Sequence, residues 1–185
     1  GGKPNVGKSS LINKMLGENR LIVSVVASTT RDAVDTPITH NCKEYIVIDT
    51  AGLRRKNKIK EDLERYMIVR TVSAVERADI VVLLIDAVEG VTEQDAKIAG
   101  IAHERGKAVI IAVNKWDAVE GKDGRTMDGM RKSLMNDFSF MPYAPIIFIS
   151  AKTGQRVDRL FELVKFVNEQ NSMRIATGML NKVLA

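Results

Sequence analysis

The chain is short of the residues that carry redox, disulfide and metal chemistry. Its 185 residues include one cysteine, Cys42, and two histidines, His40 and His103. A single thiol excludes an internal disulfide and fits a reducing compartment. Neither histidine has a Cys or His partner at metal-ligand spacing, so both read as surface residues. Cys42 reads as a small residue in a hairpin rather than a reactive one. No apolar run approaches the length of a membrane span, since Ile80 to Ile85 is a short run that reads as a buried strand. The start carries no cleavable signal pattern. These absences predict a cytoplasmic protein without membrane contact.

With 45% hydrophobic residues spread along its length, the chain can bury a sizeable core as a single domain. A net charge of +5 and a pI near 9.4 favour acidic partners, nucleic acid foremost. Much of the excess lies in Arg54, Arg55, Lys56, Lys58 and Lys60. Such a run reads as a solvated loop, with RNA contact as the alternative.

Against this background four phrases stand in fixed order: Gly-Lys-Pro-Asn-Val-Gly-Lys-Ser at residues 2–9, Asp-Thr-Ala-Gly at 49–52, Asn-Lys-Trp-Asp at 114–117 and Ser-Ala-Lys at 150–152. The first has two glycines separated by four residues and followed by Lys and Ser, the pattern in which backbone NH groups wrap phosphates. It predicts a cradle from Asn5, Val6, Gly7, Lys8, Ser9 and Ser10, with Lys8 between the β and γ phosphates and Ser9 Oγ on Mg²⁺. The helix opening there, through Leu11, Ile12 and Leu16, aims its positive end at the anion.

The later phrases choose the base. Asp117 offers two acceptor oxygens, and guanine presents a ring NH and an exocyclic amine on one edge, so a bidentate pair is expected. Adenine lacks that donor pair and would leave the carboxylate unpaired. Lys115 is expected to lay its methylene stem along a face of the base, and Asn114 to tie its loop to the phosphate loop. The NH groups of Ala151 and Lys152, following Ser150, are the expected donors to guanine O6. The pocket therefore reads as one for GTP and GDP, and Asp117 disfavours an ATP-using kinase.

Continuous apolar strands at Tyr45–Ile48, Ile80–Ile85, Ala108–Val113 and Ile146–Ile149 alternate with helical patterns, predicting an α/β fold with a buried, mostly parallel sheet and helices on both faces. Each strand ends at one of the phrases or at an acidic residue, where an open α/β sheet binds ligands. Ile38–His40 is expected as an antiparallel edge strand turning near Asn41. Thr92 with Asp95 predicts a capping box, closed downstream by Gly106. Val157, Leu160, Phe161, Val164 and Val167 fall at helical spacing and read as core. A phosphate loop needs a strand running into it, yet the sequence begins on the loop itself. Either that strand precedes Gly1 or the chain is damaged. Circular permutation is disfavoured, because Met173–Ala185 carries a helical pattern rather than a spare strand.

With those motifs in place, the chain resembles the translation-factor-related GTPases of the Era, TrmE and Der type, and the second GTPase domain of the Der (EngA) family most of all. The resemblance rests on Thr29–Thr36, Asp49–Lys56, Glu93-Gln94-Asp95, Asn114–Asp117 and the tail Arg174–Leu184. It implies a Ras-like P-loop GTPase three-layer sandwich over residues 1–170, with residues 171–185 as a helix leading toward a KH-like domain. It further implies that the parent protein assists assembly of the large ribosomal subunit and meets ribosomal RNA or ribosomal particles. Ser28 stands where the family usually has Gly, and Val25, in the loop before the Thr pair, where it often has a polar residue.

GTP hydrolysis requires charge on the phosphoryl oxygens to be stabilised during in-line attack by water. Lys8, Mg²⁺ and the NH of Gly52 are expected to supply most of this. Thr30, with Thr29 as the alternative, is the expected switch residue on Mg²⁺, and Asp49 holds the metal through water. Leu53 follows Gly52 where Ras-like proteins place a water-orienting Gln, so activation must come from elsewhere. Asn5 matches the residue that ligates K⁺ in related GTPases, or else it stabilises the turn of the loop. The expectation is a slow GTPase stimulated by K⁺. The rival readings are a GTP-dependent scaffold for RNA or protein, which Leu53 supports, and a TrmE-type tRNA-modification GTPase, against which the Asn-Lys-Trp-Asp phrase, the tail and the missing C-terminal cysteine motif all speak.

Overall fold

The structure, a computed structural model, describes residues 20–25, 35–48 and 62–184. Asn5, Val6, Gly7, Lys8, Ser9, Ser10, Thr30, Asp49, Gly52 and Leu53 lie outside the described residues.

A six-stranded sheet runs in the order β2-β3-β1-β4-β5-β6. Its strands are β1 (Arg20–Val25), β2 (Thr36–His40), β3 (Lys43–Val47), β4 (Ile80–Asp86), β5 (Ala108–Asn114) and β6 (Ile146–Phe148). The strands β4, β5 and β6 are mutually parallel. Because β1 is antiparallel to both β3 and β4, β3 shares the direction of β4, β5 and β6, so four of the six strands run one way as the sequence predicts, while β1 and β2 run against them and make the sheet mixed.

Strands β4 and β5 are apolar on both faces, as a buried parallel sheet requires. In β4, Val81, Leu83 and Ile85 join one core cluster with Val75, Ala99, Trp116, Phe138 and Phe148. Ile80, Val82 and Leu84 join a second with Tyr45, Ile110, Leu160, Phe161 and Val164. The first cluster lies under α1 (Asp62–Arg77), α2 (Glu93–Glu104) and α3 (Thr126–Asp137), and the second under α4 (Val157–Leu184). This is the three-layer arrangement.

Local signals are met where they were read. The hairpin between β2 and β3 turns through Asn41 and Cys42, at φ 48° and 62°, in the left-handed pair that a two-residue turn demands. Thr92 caps α2, with its hydroxyl accepting from the Asp95 NH while the Asp95 carboxylate accepts from the Thr92 NH. Gly106 follows the helix at φ +66°, a conformation that favours a residue without Cβ.

Two outcomes differ from the sequence reading. Val25, expected in a loop, ends β1 and pairs with Tyr45. The run Arg-Leu-Ile-Val-Ser-Val is rich in strand-forming residues and fills the slot between β3 and β4, whose edges would otherwise be unpaired. His40, expected as a surface residue, is half-buried: its ring stacks on Phe161 at 4.2 Å, and its Nε2 lies 2.6 Å from Asp158 Oδ1, so the hairpin docks on α4. Over the stretch whose pattern predicts a helix, α4 continues without a break past residue 171 to Leu184, its last turns exposing Met179, Leu180, Val183 and Leu184.

Candidate functional site

The carboxyl ends of β4, β5 and β6 converge on one rim. Asp86 and Asn114 are partners in register at the ends of β4 and β5, and the ladder extends one step further through Ala87 NH donating to Asn114 O at 2.9 Å. Directly after Asn114 the backbone turns left-handed at Lys115, at φ 61° and ψ 32°, into a single 3-10 turn over Trp116–Ala118. That turn is pinned from below. Trp116 is buried with its ring edge-on to Phe148 at 4.9 Å, and its NH donates to Ile149 O. The Lys122 ammonium lies 5.0 Å over the same indole and donates to Trp116 O.

Asp117 is thereby placed on the exposed side of the turn, facing the loop after β6. The Ser150 hydroxyl, fully buried, donates to Asp117 Oδ1 at 2.7 Å and accepts from Thr153 NH at 3.1 Å. The Ser150 backbone is held as well, its NH donating to Gln155 O and its carbonyl accepting from Gly154 NH. Asn114, also buried, accepts from Ala151 NH through Oδ1 at 3.0 Å. Two phrases more than thirty residues apart thus form one hydrogen-bonded unit.

This geometry refines the expectation for Ala151. Its NH is engaged by Asn114, so of the two NH groups expected at guanine O6 it is that of Lys152 for which no partner is recorded among the described residues. Asn114 braces the Ser-Ala-Lys loop; its expected tie to the phosphate loop lies outside the described residues. Asn114, Lys115, Asp117, Ser150, Ala151 and Lys152 are brought together as the sequence predicts.

The sequence reading missed one member of the rim. Lys115 Nζ donates to Asp86 Oδ2 at 2.7 Å, while Asp86 Oδ1 accepts from the NH groups of Val88 and Glu89 at 2.8 and 3.1 Å. Burial pushes the Asp86 carboxyl up. The Lys115 hydrogen bond, the Glu89 and Val88 NH groups and the Lys115 charge outweigh it and hold the carboxyl below its ordinary range. The same hydrogen bond, then the Asp86 charge, raises the Lys115 ammonium. The only signal in the sequence was an acidic residue closing an apolar strand.

An open α/β sheet whose strand ends carry a carboxylate held by a buried serine, in a chain whose sequence opens on a phosphate-loop phrase, is the arrangement of a P-loop GTPase domain. Residues 1–115 match the family model described as 50S ribosome-binding GTPase, and the chain belongs to that family. It is 67% identical over 183 residues to GTPase Der of Agathobacter rectalis and 66% identical over 183 residues to GTPase Der of Lachnoclostridium phytofermentans, in each case across 99% of this chain and 41% of the relative. The chain thus spans about two fifths of the length of these curated relatives. These matches bear out the Der-type resemblance and do not favour the TrmE-type or scaffold readings. Among solved structures, a variant of Aquifex aeolicus Era bound to GDP.AlF4- aligns at TM-score 0.55 and 30% identity, over 91% of this chain and 54% of that one. Elongation factor SelB of Methanococcus maripaludis aligns at TM-score 0.58 and 20% identity, over 87% of this chain and 31% of that one, a likeness of fold. Among the described residues no helix is long and apolar enough to cross a membrane.

Proposed function

We propose that this chain binds GTP and GDP and hydrolyses GTP to GDP and phosphate, as the switch domain of a cytoplasmic protein that assists large ribosomal subunit assembly and meets ribosomal RNA or ribosomal particles. The observation that carries the reading is the Asp117 carboxylate, fixed through Oδ1 by the buried Ser150 hydroxyl beside the left-handed Lys115. A carboxylate held this way keeps acceptor capacity for the ring NH and exocyclic amine of guanine, and its orientation costs nothing further on binding. The Lys152 NH is the donor to O6, with Ala151 and Asn114 holding that loop in place.

The remaining roles fall to residues outside the described part of the chain. Asn5, Val6, Gly7, Lys8, Ser9 and Ser10 cradle the phosphates, and Lys8 with the Gly52 NH offsets charge on the transferring phosphoryl group. Mg²⁺, held by Ser9, Thr30 and Asp49, supplies charge neutralisation at the phosphate oxygens when bound. With Leu53 in place of a water-orienting side chain, K⁺ at Asn5 takes the part of an arginine finger, worth about 10³ to 10⁵ in rate.

Titration with GTP, GDP and ATP in KCl and in NaCl, followed by single-turnover hydrolysis, tests this. GTP and GDP are expected to bind and ATP to fail, with faster turnover in KCl. Equal turnover in both salts removes the K⁺ clause alone, whereas ATP binding as tight as GTP overturns the base assignment.

A further inference from the structure

Lys115 adopts a backbone conformation that turns its side chain toward one acidic partner. A left-handed backbone disfavours a residue with a Cβ, and Lys115 adopts it at φ 61° immediately after the β5 ladder ends. The turn directs the side chain back across the rim, where its ammonium meets Asp86 Oδ2 at 2.7 Å. Asp86 is itself fixed. It ends β4 in register with Asn114, its Oδ1 gathers the Val88 and Glu89 NH groups, and its carbonyl accepts from Gly90 NH at 2.8 Å. The lysine side chain is 56% exposed against 23% for the aspartate, so the pair is a rigid acceptor holding an exposed stem.

We propose that Asp86 is a positioning residue for guanine nucleotide binding: by holding the Lys115 ammonium it lays the methylene stem of that lysine as a fixed apolar platform for one face of the base. This rests on the base assignment made above for Asp117. A free lysine would sample many rotamers and lose that freedom on ordering against a ligand. Tethering its head at both ends of the stem meets part of that cost before the nucleotide arrives. As a stabilising ion pair alone, so exposed a contact would contribute little. The effect of removing it should therefore fall on nucleotide affinity rather than on folding.

The experiment is a double-mutant cycle on the whole chain with Asp86→Asn and Lys115→Met, reading GDP affinity and melting temperature for each. Asp86→Asn retains an oxygen for the Val88 and Glu89 NH groups and removes only the charge facing Lys115. It is expected to weaken GDP binding about fivefold to tenfold with the melting temperature nearly unchanged, and to have no further effect in the Lys115→Met background, because it acts through that side chain. Equal GDP affinity in wild type and Asp86→Asn, or additive losses in the double variant, overturns the proposal while leaving guanine binding in place. A wild-type chain that binds neither GDP nor GTP overturns the base assignment and the proposal with it.

Discussion

The Ser150 hydroxyl donates to Asp117 Oδ1 at 2.7 Å, a bond across 33 residues of chain that makes the last phrase of the sequence the orienting partner of the third. Ser150 is fully buried and its oxygen also accepts from Thr153 NH, so both of its bonds shape the loop. Ser150→Ala removes a charge-assisted bond, worth about 1.5–3 kcal/mol. GDP affinity is expected to fall about tenfold, with a lowered melting temperature from the freed Thr153 NH, both measurable by calorimetry.

Asp117→Asn should change which base is bound. The amide keeps an oxygen for the Ser150 hydroxyl and replaces the second acceptor with a donor, which suits the carbonyl of xanthine and opposes the amine of guanine. Affinity for GDP is expected to fall at least about 100-fold and that for XDP to rise. Competition between the two nucleotides gives the answer directly.

Arg77, at the end of α1, grips Asp35 with both guanidinium nitrogens, and the Asp35 side chain is fully buried. Arg77→Ala strips a forked cation from a carboxylate that cannot reach water, a change that typically costs about 3 kcal/mol. Arg77→Lys is expected to lose a smaller part, since an ammonium cannot reproduce the fork. Urea unfolding of the two variants should rank them in that order.

The hairpin turn offers a gain. Asn41 tolerates the left-handed region, but Cys42 at φ 62° carries a Cβ there, while Asn-Gly is the favoured pair for such a turn. Cys42→Gly is expected to raise stability by about 0.5 kcal/mol, the relief of strain exceeding the extra freedom of glycine in the unfolded chain. A small rise in the urea midpoint at constant slope is the predicted signature.

Asp95 introduces a pH dependence. Burial raises its carboxyl above the ordinary value, more than the Thr92 hydrogen bonds lower it, with the Glu89 charge adding to the rise. A raised carboxyl contributes stability that is fully present below about pH 4 and lost as pH climbs through the folded-state value. Asp95→Asn, which keeps an acceptor for the Thr92 NH, should be least favoured relative to wild type in acid and gain on it as the pH rises toward neutrality. Melting temperatures across that range test the sign.

What was legible in the sequence was local. The strands at β4 and β5, the capping box of Thr92 and Asp95, the Asn41 turn and the buried stripe of Leu160, Phe161 and Val164 each follow from a period or a cap that a few neighbouring residues define. The Asn-Lys-Trp-Asp phrase was legible as a site candidate too, because it stands in four consecutive letters at a strand end. What escaped depends on which distant groups the fold brings together. Asp86 meets Lys115 only because one residue turns left-handed, and Asp35 meets Arg77 across 42 positions. His40 looked like a surface residue until the hairpin laid it on Phe161. The Arg20–Val25 segment has strand-forming composition, but nothing local names its partners, so its place and direction in the sheet follow from the neighbouring edges it satisfies.

Trp116 is the one tryptophan in the chain, and it is wedged against Phe148 directly beneath the turn that carries Lys115 and Asp117. The tryptophan emission of the unlabelled protein therefore reports on that turn. Any ligand, salt or substitution that lets water reach the buried indole by loosening this turn will announce itself as a red shift in this single fluorophore.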